Sequence, residues 1–430
     1  MTGERILQTA LKGIKRTADK GQCRLTESRS TELNVDEGVV KLLRTTVNSS
    51  LMLQAIRSGK KGTHLINKTD FSSIKEAVEA VMLSADSAPA DPAHDFAHCP
   101  NKRSLIKGPQ QPDMDQMHNR LTELLADIRE RYPLVRVREA TMEHMQQNDR
   151  LVNSSGVDLS SCTGVYRFTV LFLAKQNTKT SSFNYCGCSL PDLSDRLINK
   201  GMLQLQFRQV QDQLNCGHLK GKFAGDILMS PGCLVSFIYD YMDSYLCDRS
   251  MISGTSLLRD KLGQNVAAQD FSLESSPVSR HFCETEWFNS DGFVQKGCRL
   301  IEDGVLKNFS LSLYGANKTG HKRSPNFSPF YIVKPGDASF DDMVRSVKRG
   351  LLLMRFSGGM PSVNGDFSGV AKNCYYIENG KIKFPVTETM VSGNLLKMFQ
   401  NIRSISRERI NSGSWLLPWM VFSGLTISGK

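Results

Sequence analysis

His94-Asp95-Phe96-Ala97-His98 is the run whose residue types and spacing point most directly to chemistry. Two imidazoles four residues apart on a helix share one face and can clamp a zinc ion, and an adjacent carboxylate can act as general base. That geometry needs a continuous helix. Pro89 and Pro92 precede the run and Pro100 closes it, so no helix is expected and the pair reads as accidental. The remaining histidines (His64, His118, His144, His218, His281 and His321) have no partner at ligand spacing and read as surface or core side chains. The 11 cysteines are scattered from Cys23 to Cys374, and only Cys186 and Cys188 lie close, as C-G-C. That is neither a zinc nor a redox spacing, and reduced, mostly buried thiols are expected. A Cys–His nucleophilic pair stays open, because its members can be far apart in sequence, but nothing singles one out. There is no GxSxG elbow, P-loop, dinucleotide fingerprint or EF-hand loop.

The elements that would position any site fall into an α+β pattern. In residues 1–86, Ile6, Leu7, Ala10, Leu11 and Ile14 give an amphipathic helix. Alternating runs follow at 33–43 and 51–56, separated by turns at Asp36-Glu37-Gly38 and Ser58-Gly59. Ile74, Ala77, Val78, Val81 and Met82 return to a helical period. Residues 87–112 hold Pro89, Pro92, Pro100, Pro109 and Pro112 and read as a linker, with too many prolines for a helix or a central strand. Residues 113–218 form a central domain. It opens with a helix striped by Met117, Leu121, Leu124, Leu125 and Ile128, continues with strands around 150–152 and 166–173 joined at Asn153-Ser154-Ser155-Gly156, and is expected to end with a helix over about 191–213. Residues 219–430 are rich in short strands with glycine turns, which implies curved antiparallel sheets with a few helices.

Composition sets outer limits. The chain has 430 residues, 40% apolar and 23% charged, enough for a substantial core. No run reaches the ~18 apolar residues of a membrane span and no secretory leader is recognisable, so a cytoplasmic location is expected. The net charge of +11 would suit an acidic partner, but the basic residues are dispersed and no basic helix or aromatic-interleaved strand appears. Specific nucleic-acid binding is not expected.

The C-terminal third carries an ordered succession. Arg355-Phe356-Ser357-Gly358-Gly359 leads to Val363-Asn364-Gly365-Asp366-Phe367-Ser368-Gly369, then Tyr376-Ile377-Glu378-Asn379-Gly380-Lys381-Ile382, Phe384-Pro385-Val386 and Val391-Ser392-Gly393-Asn394-Leu395-Leu396. Upstream stand Ser256–Val266, Gly304–Asn308 and Tyr314-Gly315-Ala316-Asn317-Lys318. This order resembles the TldD/PmbA peptidase family, and Leu51–Thr63 and Leu151–Val157 resemble its earlier segments.

The resemblance implies a fold and a division of labour. TldD-type members carry an H-E-x-x-x-H zinc helix and a late cysteine ligand, whereas PmbA/TldE-type members lack the helix and pair with a TldD-type subunit. Such complexes cut unstructured peptides, in peptide maturation and antitoxin degradation. Here the matching stretch, Ser230–Met242, contains no histidine, and Leu416–Lys430 contains no cysteine. The expectation is a chain with no metal or catalytic residue of its own and with zinc held by a TldD-type partner. The partner could also be a second copy of the chain. Exposed strand edges would take up an extended peptide, and Gly358, Asn364, Asp366, Ser368 and Asn394 are the expected substrate-lining residues; plain turn formation is their other reading. Two further readings remain: a standalone peptidase using His94 and His98, and a non-proteolytic regulator, since the family is also called a modulator of DNA gyrase.

Overall fold

The computed structural model describes residues 2–430. The first half runs α1 (Gly3–Ile14), β1 (Lys20–Asp36), β2 (Val39–Arg57), β3 (Lys60–Ile66), α2 (Phe71–Ser87), β4 (Asn101–Lys107), α3 (Met114–Arg131), β5 (Val135–Asn153), β6 (Val157–Gln176), β7 (Lys179–Thr180), β8 (Asn184–Leu190) and α4 (Leu203–Asp212). The second half opens with β9 (Lys222–Met229), α5 (Pro231–Tyr245), α6 (Asp248–Ile252), β10 (Leu273–Ser275), β11 (Cys298–Glu302), β12 (Val305–Leu306), α7 (Leu313–Thr319) and β13 (Tyr331–Val333). It closes with α8 (Phe340–Ser346), β14 (Arg349–Leu353), β15 (Arg355–Gly358), β16 (Asp366–Lys372), β17 (Cys374–Glu378), β18 (Lys381–Val386), β19 (Thr389–Asn394), α9 (Leu395–Gln400), β20 (Ile402–Asn411) and β21 (Leu416–Ser428).

Local chemistry explains the turns. Glu37 and Gly38 take φ of 50° and 81°, and Ser58 and Gly59 take 51° and 73°, the paired positive values of two-residue hairpins whose twist matches the strands. Asp70 caps α2 by accepting from the Ser73 N–H at 3.0 Å.

The first sheet has the order β3-β2-β1-β5-β6-β4, with β7 and β8 also on β6. β1 pairs with β5 along its length, from Gln22 opposite Asn153 to Asp36 opposite Glu139. Residues 1–86 and 113–218 therefore share one sheet, although the sequence separates them. One face of β1 serves two cores: Cys23 and Leu25 pack with α1 and α2, and Leu33 and Val35 with α3. All four are odd-numbered, as strand alternation requires. On the opposite face Leu151, Val157 and Leu159 meet Phe288 of the second half.

Two local expectations need revision. The Pro-rich segment contains β4, which runs parallel to β6 at the sheet margin; Pro100 and Pro109 fall just outside it and leave its N–H groups free to pair. The helix expected over 191–213 begins only at Leu203. The Asp192 carboxylate accepts from the Ser194 N–H at 2.9 Å and Gly201 takes φ of 56°, so the chain turns before it coils.

The second half forms a 13-stranded sheet in the order β12-β11-β10-β13-β21-β9-β14-β17-β18. Most pairs are antiparallel, but β9–β14 and β13–β21 are parallel. A ribbon of β15, β16 and β19 joins β21 through β19. Phe237, Tyr241 and Tyr245 of α5, with Phe399 of α9, fill the main core against β21. Among the described residues no helix is long and apolar enough to cross a membrane.

Candidate functional site

α5 occupies the stretch where the sequence resemblance places a zinc helix. Ser230 caps it, its Oγ accepting from the Cys233 N–H at 3.2 Å, and Pro231 supplies the preset first turn. Leu234, Phe237, Ile238, Tyr241 and Tyr245 face the core. The outer side shows Ser236, Tyr239, Asp240 and Asp243. Burial raises the Asp240 carboxyl above its usual range, and the neighbouring charge of Asp243 adds to this. Tyr239 packs on Tyr331 with ring centroids 5.6 Å apart. Two carboxylates with no imidazole beside them fall short of the about three protein ligands that a catalytic zinc takes. Among the described residues no three His, Cys, Asp or Glu side chains are grouped to hold a metal ion.

One cysteine outside the late stretch comes close. Cys283 Sγ lies 3.7 Å from the Gly413 carbonyl, at the meeting of the two sheets. Burial, with the adjacent Glu284 charge, pushes its thiol up to about 11, so it is protonated at neutral pH and a poor ligand or nucleophile.

Tyr239 on the outer side of α5 lies near Glu284, which is held by Arg167 and Ser189 where the two sheets meet along a seam. β8 pairs with β6 on one side only, and β15 pairs only with β16. Between them the Arg355 guanidinium sits 4.1 Å from the centroid of the Tyr185 ring and 3.5 Å from Asn184 Oδ1. Phe183 and Tyr185 are 58% and 56% exposed, an apolar strip beside two open strand edges. Further along, the Ser189 N–H donates to the Ser412 carbonyl at 2.7 Å, and Arg167 forks onto Glu284 at 3.3 and 3.2 Å. The two sheets are therefore stitched at one end of the seam.

Of the five expected lining residues, three come together. Asn394 Nδ2 donates to the Asn364 carbonyl at 2.8 Å and to Asp366 Oδ1 at 2.9 Å, while Asn364 Nδ2 donates to Asp366 Oδ2 at 2.8 Å. Asn394 also caps α9 by accepting from the Lys397 N–H at 3.2 Å. Gly365, at φ of 90°, leaves room that a Cβ would take at 2.5 Å from the Tyr245 hydroxyl. Burial and the Asp366 charge hold that phenol up at about 12. Gly358 and Ser368 stand apart from this knot, on the β15–β16 rungs; a Cβ on Gly358 would lie 2.8 Å from the Ser368 carbonyl. The polar groups of the knot thus shape the turn. Beside it a pocket of about 300 Å³ opens between loop 360–363, Asp243 and Arg249, with Met360 and Val363 at its rim. Arg355, Tyr185 and this pocket were not singled out from sequence.

The histidine run is used differently from a metal clamp. It is not helical; His94 stacks on Tyr314 at 4.8 Å, and His98 turns to Asp95. The Asp91 carboxylate accepts from the Ala93 N–H at 3.0 Å, the Tyr314 hydroxyl at 2.9 Å and Lys318 Nζ at 3.0 Å, while Asn317 Nδ2 donates to the Ala93 carbonyl at 3.0 Å. The Tyr314–Lys318 motif therefore latches the linker to the second half. These bonds hold the Asp91 carboxyl down at about 2, below the ordinary ~3.9. A depressed folded value means stability that is present above ~4 and lost as pH falls toward 2. The protection factors of residues 88–99, exchange rates taken relative to the intrinsic rate at each pH, are expected to fall over that window, and Asp91→Asn is expected to show the lowered protection already at pH 7. Unchanged protection in the variant would remove the latch.

Comparison with known proteins places this geometry. Residues 221–429 match the PmbA/TldA metallopeptidase C-terminal domain, and residues 22–85 match domain 1 of the same metallopeptidases. Sheet, helix and matches together define a chain of metallopeptidase type. A metalloprotease PmbA homolog of Haemophilus influenzae is 25% identical over 403 residues, covering 88% of this chain and 86% of that protein. Metalloprotease PmbA of Escherichia coli O157:H7 is 23% identical over 448 residues, covering 98% and 96%. The fold is similar to that of TldE from Thermococcus kodakarensis, with a TM-score of 0.86, 17% identity, and 99% and 100% of the two chains covered. The chain belongs to the TldD/PmbA family.

Proposed function

We propose that the chain is a PmbA/TldE-type accessory subunit that works with a TldD-type zinc peptidase on unstructured peptides. The observation that carries this reading is α5. The helix is intact over Pro231–Tyr245, the stretch where the resemblance puts the zinc helix, and it contains no histidine. A family scaffold with that helix intact and those ligands absent can still shape a substrate site. The open edges of β8 and β15 suit an extended peptide, because strand addition uses backbone groups and accepts many sequences. On this reading Gly358 and Ser368 flank the added strand, and Asn364, Asp366 and Asn394 set the loop that closes over it.

A subunit also needs a surface for joining its partner. β3 pairs with β2 only over Leu51–Arg57, so residues 39–50 of β2 have a strand neighbour on one side alone. There Val39, Leu42, Leu43 and Val47 are 54%, 47%, 59% and 71% exposed. Lys41 and Arg44 also lie on this stretch, but each is drawn to a carboxylate of the chain itself, Asp36 and Glu32, so an apolar edge remains to pair with another strand.

The test is reconstitution with a family relative that keeps H-E-x-x-x-H. The chain alone is expected to carry no stoichiometric zinc and to leave an unfolded peptide intact, and the mixture to cleave it. Cleavage by the chain alone, or a stable mixed complex that is inert, would sink the accessory role.

A further inference from the structure

We propose that the trough between α1 and α2 is a second docking site, which takes an acidic amphipathic helix of a partner protein. It is an open groove of about 920 Å³ and shares no residue with the seam or the loop pocket. Its floor is apolar. Ile74, Val78 and Met82 follow one another at four-residue spacing along α2, and Val78 meets α1 at Gly13, where an added Cβ would lie 3.0 Å from Val78 Cγ2. The rim of α2 carries a second stripe at the same spacing, Phe71, Lys75, Glu79 and Leu83. Phe71 and Leu83 are 66% and 68% exposed. Twelve residues of helix separate them, roughly 18 Å at the α-helical rise, which is about three turns of a bound helix.

Charge selects the occupant. Lys12 on α1, Arg16 in the turn just after it and Lys75 on α2 face the trough with no carboxylate partner in ion-pair range among the described residues. Glu79 is the one carboxylate there left unpaired, since Asp86 is engaged by Arg57 at the end of the groove. A ligand helix with apolar residues on one face and acids flanking them would bury Phe71 and Leu83 and meet the three cations together. A second copy docked about a two-fold axis would set the same cations against one another, which disfavours self-association here. An anionic bilayer is flat and cannot follow a trough into its floor.

The experiment uses the full chain and a fluorescent synthetic helix of about sixteen residues, with leucines at i, i+4, i+7 and i+11 and glutamates beside them. Saturable binding that weakens with salt is expected, with no binding by the same peptide carrying lysine for glutamate. Lys12→Glu with Arg16→Glu, and separately Phe71→Ser with Leu83→Ser, are each expected to weaken it by roughly tenfold or more at unchanged circular dichroism. All four side chains are at the surface, so folding is not at stake. Absence of binding, equal binding of both peptides, or indifference to both pairs of substitutions overturns the proposal. So does binding to phosphatidylserine vesicles, or self-association, that depends on these residues when the acidic peptide does not bind.

Discussion

A chain carrying Leu43→Lys and Val47→Lys is expected to fold normally, to fail to associate with an H-E-x-x-x-H relative, and to give no peptide cleavage in the mixture. The folded monomer loses little, because Leu43 and Val47 are 59% and 71% exposed. The change acts on the edge. The far margin of the second sheet shows what lysine does there: β18 is its last strand, Lys381 and Lys383 are exposed on it, and Pro385 lacks an N–H to offer. Lysines at 43 and 47 would guard β2 in the same way. A lone charge trapped in a closed interface costs about 3–5 kcal/mol. Two of them take away most of the ~8 kcal/mol that a micromolar association represents. Light scattering reads the association and a peptide assay reads the activity. A variant that still pairs and still supports cleavage would show that the complex joins elsewhere, while leaving the accessory role itself standing.

The sequence showed elements more readily than their neighbours. α1, α2 and α3 were legible because their buried residues recur at helical spacing, and the hairpin turns because glycine follows Glu37 and Ser58. The pairing of β1 with β5 was not, since more than a hundred residues separate the strands and nothing local marks the contact. The 17-residue β1 also serves two cores in succession, which a window-sized pattern reads as separate strands. The candidate site divides along the same line. Asn364, Asp366 and Asn394 could be named from an ordered turn motif, and they meet. Arg355 and Tyr185 could not, because they lie on different sheets and neither belongs to a motif with the other. The Cys283–Gly413 approach escaped for the same reason.

Phe237→Ala is expected to cost about 3–5 kcal/mol, the usual range for emptying a buried phenylalanine site. Phe237 is 2% exposed, and its ring lies 5.1 Å from Phe356 and 5.2 Å from Phe367, which are themselves 5.8 Å apart. This trio ties α5 to β15 and β16, so it sets where the open β15 edge stands relative to the helix. Truncation should therefore lower the unfolding midpoint sharply and also weaken peptide cleavage in the reconstituted mixture at temperatures where the chain is still folded. Phe237→Leu, which keeps most of the volume, should recover most of both. Asp240→Asn on the other side of the same helix should behave oppositely. Its carboxyl is raised in the fold, so the unfolded chain gives up that proton more easily and ionisation near neutral pH works against folding. Removing the charge should raise the midpoint at pH 7 and make no difference well below the ordinary carboxyl range, near pH 3. Thermal unfolding at the two pH values separates these outcomes. If Phe237→Ala melts like the parent, or loses stability while cleavage is untouched, the aromatic trio does not position β15.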